Sequence, residues 1–196
     1  KVEGRLKAPE YVATAARSYR DQIDQTSHKK SLSETTLQIY QEQMQTTYSR
    51  GFFPGWLHGV QHQKLVEGTY SAHRGLEIGR ITALLPNGFI ITPKNDLLGD
   101  YELENGDGIL WVNDQLDSSD HPSTYEQGGP IYSVHKVSGG RWHIEMSREL
   151  KLDERCLHAR VYVNHDRSLK AEVARSVTDR QSQKHIPISL KLFLFE

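Results

Sequence analysis

The spacing of apolar residues changes period once along this chain. From Pro9 onward, Val12, Ala16, Tyr19 and Ile23 recur at three- and four-residue intervals, which places them on one stripe of an α-helix. Pro9 suits the first turn, where its missing N–H has no helical partner to lose. The pattern fades into the polar stretch Gln25–Lys30, and a second helix starts beyond it. Ser31 and Glu34 have the spacing of a capping box, with Ser33 as an alternative cap. Leu37, Tyr40, Met44 and Tyr48 form the second stripe, which Gly51 is expected to stop. The first stripe is expected to find cover on the Leu37–Tyr40–Met44 face or on a neighbouring chain.

Beyond about residue 69 the helical period gives way to short runs rich in Ile, Leu and Phe. Pro86-Asn87-Gly88 separates two of them and reads as a hairpin turn, because Asn and Gly tolerate positive φ. A turn at Glu104–Gly108 precedes the run Ile109-Leu110-Trp111-Val112. The polar stretch Asn113–Gly129 reads as a loop, and the runs Pro130–Val137, Gly139–Met146 and Cys156–Val163 complete a series of short strands. Their regular spacing fits a small barrel or sandwich, and a closed barrel leaves no exposed edges. The fold class expected is therefore α+β, with N-terminal helices followed by a small closed β-barrel. Asp166 reads as the N-cap of a helix over Arg167–Thr178. After Pro187, Ile188, Leu190, Leu192 and Leu194 alternate with Phe193 and Phe195, the period of a strand with two apolar faces. Such a strand is expected to pair with an edge of the existing sheet or with its copy in another chain.

Composition narrows what these elements do. Hydrophobic residues make up 36% and charged residues 25% of the chain, proportions of a soluble globular protein. No window approaches the roughly 18 apolar residues of a membrane span. The single cysteine, Cys156, precludes an internal disulfide and suits a reducing, cytoplasmic location. The net charge is −1, but residues 31–140 carry six Lys/Arg against thirteen Asp/Glu. The flanks are basic, with seven against four over residues 1–30 and eleven against eight over residues 141–196. A nucleic-acid-binding module presents a basic face, so any RNA contact falls to the two ends.

The chain contains no G-x-S-x-G elbow, no H-E-x-x-H pair and no phosphate-binding glycine loop. Cys156 lies in an apolar run and reads as a small buried hydrophobe rather than a nucleophile. His58 and His62 have helical metal-ligand spacing, with His73 as a third candidate, but Gly55 and Gly59 oppose a helix there. A surface or hydrogen-bonding role is the reading for these histidines. Phe52, Phe53 and Trp56 beside Arg50 have two readings. They stack on the bases of single-stranded RNA, or they dock the linker as a hydrophobic plug, and the acidic middle favours the plug. Arg74 and Arg80 flank the first strand, where they either meet a phosphate or serve as solvated or salt-bridged surface arginines.

Several of these residues carry a resemblance. Glu3-Gly4-Arg5-x-Lys7-x-Pro9-Glu10-Tyr11-Val12, with Tyr19-Arg20 further on, resembles peptidase family U32, the collagenase-like proteins, where the last strand and helix of the catalytic barrel lie. Arg50-Gly51-Phe52 with Gly55 and Gly59 resembles the glycine- and aromatic-rich stretch after that barrel. His73-Arg74-Gly75, Ile78-Gly79-Arg80, Gly106-Asp107-Gly108, Gly128-Gly129-x-Ile131-Tyr132 and Val161-Tyr162-x-x-x-Asp166-x-x-Leu169 continue the likeness in order through a C-terminal β-barrel. The span from Ile78 to Trp111 is also similar to the second-domain barrels of translation elongation factors.

The resemblance implies four regions. Residues 1–26 hold the last strand and helix of a TIM-like catalytic barrel, and 27–68 hold a helix and an aromatic, Gly-rich linker. Residues 69–166 form the β-barrel, and 167–196 a helix and the first strand of a following domain. Family members resemble peptidases or hydroxylases of RNA and quinone precursors, the latter with an iron–sulfur cluster on cysteines that would lie upstream. This chain holds no cofactor ligands of that kind and no catalytic residue that the resemblance transfers, so it is expected to be inactive by itself. The implied function is to position substrate, RNA or protein, for the missing N-terminal catalytic domain. The alternative is a structural or protein-substrate-binding module of a collagenase-like peptidase. Arg50, Phe52, Phe53, Trp56, His73, Arg74 and Arg80 are the candidate contacts with substrate or with that domain.

Overall fold

The computed structural model describes residues 6–49, 52, 56, 59, 73–97, 101–114, 125–178, 187–189 and 191. Two helices come first, α1 (Pro9–Ser27) and α2 (Glu34–Thr47). Pro9 opens α1 as its sequence position implies, after an extended Ala8 that offers no side-chain cap. Of the two candidate caps for α2, Ser33 acts. Its Oγ accepts the Thr36 N–H at 3.1 Å, and Glu34 is already the first helical residue, so the Ser31–Glu34 box does not form. The helix ends at Thr47, with Tyr48 extended.

Within the chain, α2 does not cover the α1 stripe. Val12, Tyr19 and Ile23 are 40%, 60% and 54% exposed, and α1 instead buries Thr14, Ala15 and Ser18. Ser18 Oγ lies 3.7 Å from Met44 Sδ, Tyr40 donates its hydroxyl to Asp21, and Tyr11 meets Tyr48 edge-on at 5.9 Å. Small side chains let two helix backbones approach closely, and this turns the larger apolar residues of α1 away from α2.

Seven strands follow: β1 (Leu76–Leu85), β2 (Gly88–Pro93), β3 (Gly108–Asn113), β4 (Tyr125–Pro130), β5 (Ser133–Val137), β6 (Arg141–Glu145) and β7 (Arg160–His165). They form one antiparallel sheet in the order β4-β3-β7-β1-β2-β6-β5. The β1–β2 hairpin turns on Pro86 and Asn87, with Leu85 opposite Gly88. Two boundaries differ from expectation. Strand β4 (Tyr125–Pro130) takes up the last residues of the stretch read as loop, and Cys156 lies in a 3-10 turn (Glu154–Cys156) ahead of β7.

The sheet is open, not the closed barrel expected. Its edge strands β4 and β5 are consecutive in sequence and joined only by Ile131 and Tyr132. Laid flat, seven strands would hold those edges about 29 Å apart, whereas the link spans about 10 Å, so the sheet must roll up. Closure stops short because the segment before β3 occupies the seam. Gly106 N–H donates to the Ile131 carbonyl and Ile131 N–H to the Asp107 carbonyl, both at 2.8 Å. Asn105 Oδ1 takes the outward-facing N–H of Val134 at 3.0 Å, and Lys136 pairs with Glu102 at 2.8 Å. These contacts cover the edge of β5 that a barrel would have paired with β4.

Inside the roll lie Ile78, Ile81, Phe89, Ile91, Ile109, Trp111, Ile144, Val161 and Val163, all essentially inaccessible to water. Each such side chain contributes about 1.5–3 kcal/mol by its burial. Leu110, Val112 and Tyr162 form a second buried cluster; β3 is thus apolar on both faces, as its unbroken run implies. Helix α2 packs on β7 and β1, and α1 packs on α2 and on α3 (Arg167–Thr178). Asp166 caps α3 as predicted, its Oδ1 accepting the Leu169 N–H at 2.8 Å. At the far end, Pro187–Ser189 and Lys191 lie outside any strand and Ile188 is 80% exposed, while Leu190, Leu192, Phe193, Leu194 and Phe195 of the expected strand lie outside the described residues. Among the described residues no helix is long and apolar enough to cross a membrane.

Candidate functional site

Two surfaces meet α2, and the predicted site residues divide between them and the solvent. The first is the joint between the C-terminal end of α2 and the start of β1. His73 Nδ1 lies 2.9 Å from the Ser49 backbone nitrogen, and the Arg74 N–H donates to the Ser49 carbonyl at 3.2 Å. The imidazole stacks on Tyr48 at 5.3 Å between ring centres, and Lys7 Nζ lies 3.3 Å from the centre of the Tyr48 ring. Arg74 is buried, with its guanidinium 5.8 Å from the Tyr162 ring and 3.7 Å from the Glu126 carboxylate. Arg160 lies over the same ring at 5.9 Å and forms an ion pair with Asp114. Burial raises the Tyr162 phenol above its usual value, the nearby Glu77 adds to the rise, and the two arginines oppose it. His73 and Arg74 therefore clamp helix to sheet, and their polar atoms are turned inward.

The other predicted residues do not join them. Arg80 is exposed and reaches the His158 carbonyl at 3.4 Å. Phe52 and Trp56 are 51% and 59% exposed, and Arg50 and Phe53 lie outside the described residues, as do His58 and His62. Cys156 is fully buried, its thiol 3.9 Å from the Tyr125 hydroxyl, with the Arg155 guanidinium 4.4 Å from that ring. Burial and the neighbouring thiol push the Tyr125 phenol up to about 12. A single enclosed thiol does not fit an iron–sulfur cluster, which takes about four cysteine ligands.

The second surface is a groove of ≈ 520 Å³ between α2 and the β1–β2 hairpin, which the sequence reading did not single out. One wall is the polar face of α2, Glu34, Gln38, Gln41, Glu42 and Gln45 beside Leu37; the other is Leu76, Glu77, Lys94, Asp96 and Leu97. The signal was present in the chain, because positions 34, 38, 41 and 45 recur at the same helical spacing as the apolar stripe. Gln38 holds the walls together. Its Nε2 donates to the Asp96 carbonyl at 2.8 Å and to Glu42 Oε1 at 3.1 Å. Lys94 pairs with Asp96 at 3.0 Å. Four carboxylates against one lysine leave the lining at −3, with carboxamides and leucines between the charges.

Comparison with known proteins finds a likeness in the helical part. The model of peptidase family U32 matches residues 1–67, which include both α1 and α2. Residues 1–67 are thus similar to peptidase family U32. Two proteins named collagenase, from Porphyromonas gingivalis and from its strain ATCC BAA-308 / W83, are each 36% identical over 70 residues. That stretch is 36% of this chain but 18% and 16% of those relatives, so the chain spans under a fifth of their length. No solved structure matches. The groove thus joins α2, which lies within the residues similar to that family, to strands that lie beyond them.

Proposed function

We propose that this chain is a non-catalytic, substrate-positioning region of a U32 protein, and that the substrate it positions is polypeptide. The observation that carries this reading is the lining of the groove, net −3 with three glutamines and three leucines. An RNA backbone is repelled by such a surface, whereas an extended polypeptide matches it. Peptide groups pair with carboxamides, cationic side chains with carboxylates, and aliphatic side chains with the leucines. Several of the described arginines are engaged within the chain. Arg17 pairs with Glu172, Arg20 with Asp24, Arg155 with Asp153 and Arg160 with Asp114, while Arg74 is buried. The relatives' name, collagenase, agrees with a protein substrate. Absence of a recognisable nucleophile motif from the sequence agrees with positioning rather than cleavage.

The test sets the purified chain against immobilised gelatin and against single-stranded RNA, at low and at moderate salt. Gelatin should be retained, and Glu77→Lys, a charge reversal in the groove wall, should weaken retention about tenfold. RNA binding that falls steeply with salt, without gelatin retention, would overturn the reading in favour of an RNA-positioning module; retention of neither would overturn both.

A further inference from the structure

The outer face of the β5–β6 ribbon carries a pair of histidines that neither the fold nor the groove uses. We propose that His135 and His143 form a binding site for a divalent transition-metal ion. The register of the ribbon sets the two residues directly opposite each other. On β6 Trp142 and Ile144 are buried in the core, so the alternation of a strand puts His143 on the outer face, and its cross-strand partner His135 shares that face. The ring centres are 6.4 Å apart, with 57° between the planes. Directly opposed residues of an antiparallel pair have Cβ atoms about 4.5–5.5 Å apart, so side-chain rotation alone brings two imidazole nitrogens onto one ion. No backbone movement is needed.

A second observation concerns the hydrogen bond made by one ring. Ser133, two residues before His135 on the same face, places its Oγ 2.9 Å from His135 Nε2. With the hydroxyl accepting from Nε2–H, the lone pair of His135 resides on Nδ1. A metal-binding imidazole has this arrangement, one nitrogen ligating while the other is anchored by a hydrogen bond. The donor set also selects the ion. Two neutral nitrogens without a thiolate suit Cu²⁺, Ni²⁺ and Zn²⁺, with Cu²⁺ bound most tightly, and disfavour Ca²⁺ and Mg²⁺. Among the described residues no group of three His, Cys, Asp or Glu is placed to hold a metal. Water therefore completes the coordination, and the ion exchanges readily. Once bound, it ties the edge strand β5, which has a strand neighbour on one side only, to β6.

The chain has ten histidines, so the test must resolve individual rings. Imidazole nitrogen resonances of the full chain would be followed by NMR during titration with zinc chloride, in wild type and in His135→Gln and His143→Gln. Both substitutions are on the outer face, and an unchanged backbone amide spectrum would confirm that each variant is folded. The rings of His135 and His143 should respond together. Replacing either should weaken zinc binding by the other about tenfold, because a two-point attachment becomes a one-point attachment. Copper chloride should broaden the same two rings at lower concentration than zinc shifts them. If neither ring responds at millimolar zinc, or if each responds equally well without its partner, the site does not exist.

Discussion

Asp107 explains at the scale of one residue why a Gly-Asp-Gly triplet sits ahead of β3. Its Oδ2 accepts the Glu104 N–H and its Oδ1 the Arg167 N–H, each at 2.9 Å, so one carboxylate ties the seam segment to the first turn of α3. The glycines make room. Gly106 has a φ of +94°, and a side chain at Gly108 would begin 2.8 Å from His165 Cβ. Burial raises the Asp107 carboxyl above its usual range, against the pull of the two N–H groups, and the nearby Asp166 and Glu104 raise it further. A carboxyl raised in the folded state holds its proton more tightly there than in the unfolded chain. Its contribution to stability is complete below the ordinary aspartate range and is lost as pH rises through the elevated value. Asp107→Asn should therefore cost about 1–3 kcal/mol through the N–H group it leaves unmatched. The wild-type advantage should shrink as pH is raised above the ordinary aspartate range, which denaturant melts at several pH values would measure.

At the scale of elements, the local signals that held were those whose physics is complete within a few residues. Pro9 opens α1, Ser33 caps α2 and Asp166 caps α3. Ser33→Ala should lower stability by about 1 kcal/mol, whereas Ser31→Ala should leave it unchanged. Thermal melts of the two variants would separate the cap that acts from the one that only has the spacing. The β1–β2 hairpin was legible too, but Gly88 matters there for a reason outside the turn. A Cβ at Gly88 would meet the Ile144 carbonyl oxygen at 2.1 Å, so β6 passes where a side chain would stand. Gly88→Ala should cost about 1–3 kcal/mol by this overpacking, seen as an earlier denaturation midpoint. Strand β4 was not legible, because Tyr125–Pro130 has neither β-branched residues nor alternation. It is a strand because the edge of β3 supplies the ladder it pairs with.

For the whole molecule, the question is what couples the helices to the sheet. Tyr101 bridges them: its hydroxyl bonds to Thr46 of α2, and its ring meets Trp142 of the core edge-on at 6.5 Å. Burial drives its phenol far above the usual tyrosine value, with Asp166, Asp107 and Glu42 adding to the rise and the Thr46 hydrogen bond opposing it, so it stays neutral. Tyr101→Phe removes about 1 kcal/mol of hydrogen bonding at one point of the helix–sheet contact. Hydrogen exchange should then quicken in α2 while the strands at the centre of the sheet keep their protection. Equal acceleration everywhere would mean that α2 and the sheet unfold as one unit. Helix α2 and the strands also form the two walls of the groove, so a loosened α2 would weaken the polypeptide binding proposed above as well.

The sequence by itself determined the two N-terminal helices, the change of period near residue 69, the hairpin at Asn87 and the apolar run that becomes β3, because periodicity and capping are set by neighbours along the chain. The likeness of the N-terminal residues to peptidase family U32 was likewise legible from short local motifs. Tertiary structure alone decided how α1 is rotated, since Ala15 and Ser18 permit a closer approach to α2 than Val12 or Tyr19 would. It decided that the sheet stays open, because the backbone and side-chain groups of Glu102–Asp107 satisfy the seam before β4 and β5 can pair. It also decided which arginines are spent on internal contacts and which polar face of α2 lines a groove. Those outcomes rest on partners far away in the chain, and no local pattern encodes them.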